Sequence, residues 1–196
     1  MCSGNATATV CAVGRMAASG SPLATASRII DVEIAQLLRS PLHRYAGRPS
    51  DGPVGEPADE LVDRIEIREG LGIVGDRYFG QRAHRNAAIT LMAAESLTTG
   101  ILVGADLRQT RRNVLLSGID IDAWVGRTIR LDSGSGPVLL QVNRPARPCE
   151  WMDATIGPGA CKAMRATGGV RCTPLSDGRL TLGAATLSLR SDGLEP

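Results

Sequence analysis

The sequence has few aromatic residues, only two histidines and almost no lysine. Phe, Trp and Tyr make up 3% of its 196 residues, which leaves little for stacking the bases of single-stranded nucleic acid. The net charge of +2 is also small for a nucleic-acid-binding surface. Lys162 is the one lysine, so the positive charge is nearly all arginine, the better bidentate partner for phosphate. We therefore expect no nucleic-acid partner.

Long apolar runs and paired cysteine motifs are also missing. No apolar stretch approaches the length of a bilayer span, so we expect no membrane association. The cysteines form no C-x-x-C motif and no paired metal spacing; they are Cys2, Cys11, Cys149, Cys161 and Cys172. An odd number of cysteines without a convincing signal peptide favours free thiols and a reducing compartment, the cytoplasm.

Length and composition favour one domain. Hydrophobic residues at 43% and charged residues at 21% are ordinary values for a globular chain of this size. Residues 1–26 are rich in Ala, Ser, Thr and Gly, and no amphipathic face emerges in them, so we predict a disordered N-terminal tail. Residues 27–196 are predicted to form a single domain.

The hydrophobic pattern predicts a mainly β fold. Seven or more short apolar runs alternate with glycine-containing turns, and only residues 92–101 and 157–165 have a helical pattern. Helices are missing between most of the strands, so parallel βαβ alternation does not fit. The pattern favours a β-barrel-like core with a few peripheral helices, a β+α composition.

Two passages gather positive residues around glycine or proline. Residues 40–57 place arginines and a histidine beside Tyr45 and could line an anion pocket, although a solvated loop is the commoner outcome for such a segment. Residues 70–80 form a glycine-punctuated turn that matches neither the dinucleotide fingerprint nor the phosphate-binding loop. Its freed backbone amides could still bind an anion. The positive residues that follow this turn are Arg82, His84 and Arg85.

One cysteine follows a strand-like run directly. Residues 138–142 lead into Asn-Arg-Pro-Ala-Arg-Pro-Cys-Glu-Trp, in which the cysteine is Cys149. Two prolines make this segment stiff, and we expect it to leave the sheet. Arg144 and Arg147 lie within five residues of the thiol and would favour the thiolate, the form that acts as nucleophile or soft-metal ligand. A structural thiol at a strand end explains the residue about as well.

Together these pieces resemble the MOSC domain family, named after the C-terminal part of molybdenum cofactor sulfurases. The resemblance covers roughly residues 28–189, and its motifs occur in the family's order. Ala184 departs from the pattern, because the family usually has aspartate there, and we expect a local change in turn capping. The segments that carry the resemblance are residues 72–77, residues 111–120, residues 144–149 and residues 168–172 with Gly178 and Gly183.

The resemblance implies a barrel that binds the pterin molybdenum cofactor or its sulfur. The family's cysteine falls on Cys149, which would ligate molybdenum, as in the related amidoxime-reducing proteins, or carry a persulfide, as proposed for sulfurases. A set of polar residues would hold the cofactor's phosphate and pterin through charge-assisted hydrogen bonds. Surface salt bridging would explain any single arginine, but not the set. The set comprises Arg77, Arg111, Arg112, Arg147 and Asn113.

Three functions remain open at this stage. The first is a molybdenum-dependent component that reduces N-hydroxylated compounds with a separate electron donor, because no flavin, haem or iron–sulfur motif is visible. The second is a sulfur carrier or sulfurtransferase served by a cysteine desulfurase. We expect no pyridoxal phosphate site, because the family's aminotransferase-like domain is not in this sequence. The third is a module that only binds the cofactor or another phosphorylated ligand. His43 and His84 belong to no Ser/His/Asp constellation, so no hydrolase is expected.

Overall fold

A computed structural model describes residue 1, residues 29–55 and residues 59–190 of the chain. The predicted N-terminal tail, residues 1–26, lies almost entirely outside the described residues. Across the described ranges, no helix has both the length and the apolar character needed to cross a membrane.

Ten strands and three short α-helices make up the regular structure of these ranges, together with five 3₁₀ helices. The strands are β1 (Ile29–Leu37), β2 (Arg64–Arg68), β3 (Gly72–Ile73), β4 (Ile89–Ala93), β5 (Val114–Ser117), β6 (Thr128–Asp132), β7 (Val138–Pro145), β8 (Val170–Pro174), β9 (Gly178–Thr181) and β10 (Gly183–Leu189). The α-helices are α1 (Leu107–Thr110), α2 (Trp151–Thr155) and α3 (Ala160–Ala163). The 3₁₀ helices are Pro49–Asp51, Arg82–Ala87, Ala94–Leu97, Gly100–Leu102 and Ile121–Trp124.

Seven of the strands close into a barrel in the order β1, β10, β6, β7, β8, β4, β5. Neighbouring strands are antiparallel except β4 and β5, which run parallel and are joined by a crossover through two 3₁₀ helices and α1. The register of β7 against β8 shifts between Val142 and Arg144. The remaining strands form an antiparallel sheet in the order β3, β2, β9.

Strict alternation along the barrel strands explains the main core. In β7, for example, Val138, Leu140 and Val142 are buried, and the residues between them are partly exposed. Side chains two residues apart point to the same face of a strand, so these residues point into the barrel. They join one large apolar cluster to which each of the other six barrel strands also contributes side chains.

A second apolar cluster lies on the outside of the barrel. Met92 of β4 and Leu115 of β5 contribute to it, whereas their neighbours along the same strands belong to the barrel core. Trp151 and Met152 of α2 and Met164 after α3 cover these outward-facing residues. Two faces of the same strand pair are thus buried, which is why these strands read as continuous apolar runs.

The helical predictions need correction. Residues 92–101, expected to be one helix, begin inside β4 and continue as two separate 3₁₀ helices. The helix expected over residues 157–165 is reduced to α3, and α2 was not predicted at all. The strand before Cys149 is longer than expected and continues through Pro145, which pairs with Val170. Helices of one turn show too little periodicity to be recognised in a sequence.

Candidate functional site

Cys149 lies in the short loop between β7 and α2, and its side chain is exposed. The loop is fixed on both sides of the thiol. Before it, the backbone N–H of Ala146 donates to the carbonyl of Gly169 at 2.7 Å. After it, the carbonyl of Cys149 accepts from the N–H of Met152 at 2.9 Å, in the first turn of α2. The thiol is therefore reachable from solvent on a well-anchored backbone.

Arg112 holds this loop from inside the protein. Its guanidinium is buried and donates to three carbonyl oxygens: Nε to Gly168 at 2.8 Å, Nη1 to Thr110 at 2.7 Å and Nη2 to Ala146 at 2.7 Å. These contacts join the end of α1, the cysteine loop and the glycine turn before β8. In the described part of the chain, no carboxylate forms a salt bridge with this cation.

The buried charge of Arg112 is electrostatically coupled to Cys149. Desolvation, and next the like charge of Arg171, lower the pKa of Arg112 to about 10. Negative charge on Cys149, Asp122 and Tyr45 acts in the opposite direction and raises it. Arg112 therefore lies close enough to Cys149 for their charges to interact, although the sequence analysis considered only Arg144 and Arg147 as neighbours of this thiol.

Tyr45 provides the aromatic wall beside the cysteine loop. Its ring stacks on Trp151 of α2, with centroids 4.8 Å apart and planes inclined by 3°. Its hydroxyl donates to the carbonyl of Gln109 at 2.5 Å. Burial raises the pKa of this phenol, although the Thr155 hydrogen bond and the charge of Arg111 oppose the shift. Tyr45 is thus packed against α2, whereas most of the described residues around it, such as His43 and Arg48, are exposed, as expected for a solvated loop.

Arg111 belongs to a separate, internal network. Its guanidinium donates to both oxygens of Glu60, through Nη1 at 2.5 Å and Nη2 at 3.1 Å, and Nη2 also donates to Ser40 Oγ at 2.6 Å. Burial by itself would raise the pKa of Glu60, but the hydrogen bonds from Arg111 and Ser40 outweigh it and hold this pKa below its ordinary value. Arg111 adopts φ 58°, which turns the chain at the end of α1.

Asp76 is the second centre of the same network. One of its oxygens accepts from Ser40 N at 3.2 Å, from Asn113 Nδ2 at 3.3 Å and from Arg77 Nη1 at 3.5 Å. The other accepts from the N–H of Tyr78 at 3.0 Å. The Arg77 guanidinium also lies over the Tyr78 ring, 4.5 Å from its centroid. Ser40 thus connects the Asp76 contacts to the Glu60–Arg111 pair.

Asn113 links three parts of the barrel. Its Oδ1 accepts from both the backbone N–H and the hydroxyl of Thr90 on β4, at 3.0 and 2.8 Å, and its Nδ2 donates to the carbonyl of Leu38 at 3.2 Å. With the Asp76 contact, every polar atom of this amide has a partner inside the protein. The role predicted for Asn113 in holding a cofactor would require some of these contacts to be exchanged.

The predicted site residues therefore fall into two groups. Cys149 and Arg112 are coupled to each other, and Arg147, two residues before the cysteine, is exposed; its side chain forms no ion pair with any described residue. The side chains of Arg77, Arg111 and Asn113 are engaged around Asp76 and Glu60. Most of the partners of these side chains lie far away in the sequence. The sequence motifs alone therefore could not separate the two groups.

Asp122 was missed by the sequence analysis. Its Oδ1 accepts from the N–H of Gly169 at 2.9 Å, and its buried Oδ2 has no hydrogen-bond partner among the described residues. Burial raises the pKa of this carboxyl. The residue borders a cavity of about 810 Å³ whose walls include Leu102, Ile119 and Ala163. Cys149 does not line this cavity. In the sequence Asp122 is one aspartate in Gly-Ile-Asp-Ile-Asp and belongs to no motif that would have identified it as a site residue.

The fit of a metal at Cys149 can be judged from the ligands around it. In the described ranges, no three residues among His, Cys, Asp and Glu come together in a way that could hold a metal ion. A metal at this thiol would therefore have at most two described ligands of these residue types and would need to bring the others. A cofactor with its own sulfur ligands meets that condition, and a soft thiolate suits it. Cys149 and the exposed Arg147 fit such a group. The donors of Arg111, Arg112 and Asn113 are already engaged within the protein.

Comparison with solved structures supports the fold assignment. The mainly β architecture, a closed barrel with a few short helices, agrees with the expected MOSC-like barrel. The crystal structure of YuaD from Bacillus subtilis is similar at a TM-score of 0.64 and 15% identity, over 83% of this chain and 98% of that one.

YiiM from Geobacillus stearothermophilus is similar at a TM-score of 0.51 and 17% identity, over 83% of this chain and 77% of that one. YiiM from Escherichia coli is similar at a TM-score of 0.50 and 17% identity, over 81% of this chain and 70% of that one. No family model and no curated protein matches the chain. At these identities the likeness is one of fold.

Proposed function

We propose that this chain is a MOSC-type protein that binds the pterin molybdenum cofactor through Cys149 and reduces N-hydroxylated compounds with electrons from a separate donor. The observation that carries the proposal is an exposed thiol on a loop anchored by a buried guanidinium, that of Arg112. When bound, the cofactor supplies the two-electron redox chemistry that protein side chains lack. The MOSC-like fold is the second support.

Each residue of the site has a distinct part in this proposal. Cys149 presents the soft ligand, and Arg112 keeps the loop in place through its hydrogen bond to the carbonyl of Ala146. The exposed Arg147, which forms no ion pair within the described ranges, would donate to the cofactor's phosphate. Tyr45 and Trp151 exclude water from one side of the loop. Arg77, Arg111 and Asn113 bind Asp76 and Glu60 inside the protein, and reach the cofactor only if these contacts open.

Metal analysis tests the ligand role. The wild type, Cys149→Ala and Cys161→Ala would be purified from a host that makes the cofactor, and molybdenum would be measured per protein. Cys161 is the matched control, because it is a partly exposed free thiol on α3. Molybdenum should accompany the wild type and Cys161→Ala and be lost from Cys149→Ala. Equal metal content in all three would reject the ligand role.

Turnover tests the reductase role. Each cofactor-loaded protein would receive a chemical reductant and an N-hydroxylamine, and formation of the amine would be followed. The wild type and Cys161→Ala should reduce the substrate, and Cys149→Ala should not. Equal rates for wild type and Cys149→Ala would reject this function.

A persulfide carrier is the second candidate, and the exposure of Cys149 favours it because a partner protein must reach the sulfur. The Cys149 thiolate would attack the terminal sulfur of a desulfurase persulfide. A new S–S bond forms at Cys149, the donor's S–S bond breaks, and the desulfurase cysteine leaves as its thiolate. Incubation with desulfurase and cysteine should add the mass of one sulfur to the Cys149 peptide, reversibly with a thiol. No mass increase would reject this candidate.

A purely binding module would behave differently from both. In that case Cys149→Ser should retain most of the affinity for the cofactor, because the thiol is not needed. Arg147→Ala, which removes the exposed arginine of the cysteine loop, should weaken binding instead. Measuring cofactor affinity for these variants separates the binding module from the thiol-dependent functions.

A further inference from the structure

A second cationic site lies where β7 meets the 3₁₀ helix Arg82–Ala87. A cavity of about 720 Å³ is lined there by Arg82, Arg85 and Arg144 and by Asn86 and Asn143, with Ala83 between them. All three arginines are exposed, and no carboxylate is among the lining residues. None of these residues belongs to the set considered above for the cofactor.

Hydrogen bonds fix the backbone of this cavity. Asn143 Nδ2 donates to the carbonyl of Asn86 at 3.1 Å and to Thr173 Oγ1 at 2.9 Å. The hydroxyl of Thr173 in turn donates to the carbonyl of Arg85 at 3.0 Å. The register of β7 and β8 shifts at Asn143, and a bulge of this kind redirects the neighbouring side chain. The 3₁₀ helix and the end of β7 are thus held together in a defined arrangement.

The positive charge of this cavity is not neutralised within the protein. Arg144 lies directly opposite Arg171 on β8, a pairing of like charges that destabilises a sheet. Among the ranges that the structure describes, Arg82, Arg85, Arg144 and Arg171 form no salt bridge. Repulsion between these guanidinium groups is relieved when an anion binds between them.

We propose that this cavity binds the phosphate group or diphosphate of a small molecule. Guanidinium groups match phosphate oxygens bidentately, and the side-chain amide of Asn86 adds a neutral donor. Asn143 positions the backbone instead, because both of its side-chain N–H groups are donated within the protein. The small net charge and the scarcity of aromatic residues count against a nucleic-acid strand as the occupant. Arg144 precedes Cys149 by five residues, so their Cα atoms lie at most about 18 Å apart. The inference rests on the arginine cavity alone and does not need the proposed function of Cys149.

Calorimetric titration with inorganic pyrophosphate tests the proposal at physiological salt. The full chain should bind pyrophosphate, and Arg85→Ala and Arg144→Ala should each weaken binding by about tenfold, the usual loss when a hydrogen bond to a charged group is removed. Arg64→Ala is the matched control, because Arg64 is an exposed arginine on the separate sheet; it should leave the affinity unchanged. Cys149→Ala should also bind normally, so failure of the proposed function is distinguishable from failure here.

A conservative variant separates a built site from a diffuse positive field. Arg144→Lys keeps the charge but loses the planar fork, so it should weaken pyrophosphate binding several-fold. Three results would each overturn the proposal. The first is unchanged pyrophosphate affinity in Arg144→Lys, the second is an equal loss of affinity in Arg64→Ala and Arg144→Ala, and the third is no binding by the wild type. Tighter binding of a single-stranded oligonucleotide than of pyrophosphate, through the same arginines, would overturn it in favour of a nucleic-acid surface.

Discussion

Arg111 and Glu60 form a buried ion pair across 51 residues of chain, with Nη1 of the arginine 2.5 Å from Oε2 of the glutamate. The pair fastens the end of α1 to the passage between β1 and β2. Ser40 bonds to both partners and extends the pair toward Asp76. The pair thus supports the surface against which Tyr45 and the cysteine loop pack.

Removing one partner of this pair should be costly. Arg111→Ala leaves the Glu60 carboxylate buried without its cation, so we expect a loss of about 3 kcal/mol in the free energy of unfolding. Urea denaturation measures it. Arg108→Ala is the control, because its ion pair with Asp106 lies at the surface and should be worth less than about 1 kcal/mol. Equal losses of unfolding free energy in the two variants would show that the buried pair stabilises the fold no more than the surface pair.

Acid should weaken the fold through Glu60. Its pKa lies below the ordinary value of 4.5 in the folded chain, so the unfolded chain takes up this proton at a higher pH. The resulting stabilisation is complete above that ordinary value and is lost as the pH falls through the folded-state pKa. Stability measured over this range should fall less steeply in Glu60→Gln than in the wild type. Identical slopes would assign the acid sensitivity to other groups.

Gly169 should not tolerate a side chain. A Cβ there would lie 2.1 Å from the carbonyl oxygen of Leu91, and the residue has φ +85°. Gly134 has a similar φ of +91° with nothing within 4 Å of the added atom. Both alanine variants share the backbone strain, so the clash should make Gly169→Ala the less stable by at least about 2 kcal/mol. Thermal unfolding of the two variants makes the comparison; similar melting temperatures would contradict it.

The thiols should differ in accessibility. Brief treatment of the native protein with iodoacetamide, followed by peptide mass mapping, should label Cys149 and leave Cys172 unmodified. Cys172 is fully buried in β8, and burial raises the pKa of its thiol, so both access and ionisation are suppressed. After unfolding, both peptides should be labelled. Native labelling of Cys172 at the rate of Cys149 would be inconsistent with this barrel.

Arg112 should matter both for stability and for the reactivity of Cys149. Arg112→Met would leave the carbonyls of Gly168, Thr110 and Ala146 without this donor, at about 1–3 kcal/mol for each that stays unsatisfied. The alkylation rate of Cys149 should also change, because the loop that carries this thiol loses its hydrogen bond from Arg112 to Ala146. Arg147→Met, an exposed control, should cost little stability. A stable Arg112→Met with unchanged alkylation would refute both roles.

Much of the barrel could be predicted from residue patterns. The run Val170–Pro174 alternates buried and partly exposed residues and forms β8 over those residues. The short helices could not be predicted, since α2 has five residues and follows a proline-rich loop. Its Trp151 is buried by packing against Tyr45, a contact between distant parts of the chain. Local propensity is a weak guide when tertiary packing supplies most of the stability of such short elements.

The amino-acid sequence by itself determined the alternating strands, the glycine turns between them and the stiff loop that presents Cys149, because these depend on neighbouring residues. Only the tertiary structure decided which arginines are available to a ligand. Arg111 is paired with Glu60, Arg112 is buried against carbonyl oxygens, and Arg144 remains exposed beside Arg82 and Arg85. The partner of a guanidinium group depends on which distant segments the barrel brings together. A local sequence pattern does not contain that information.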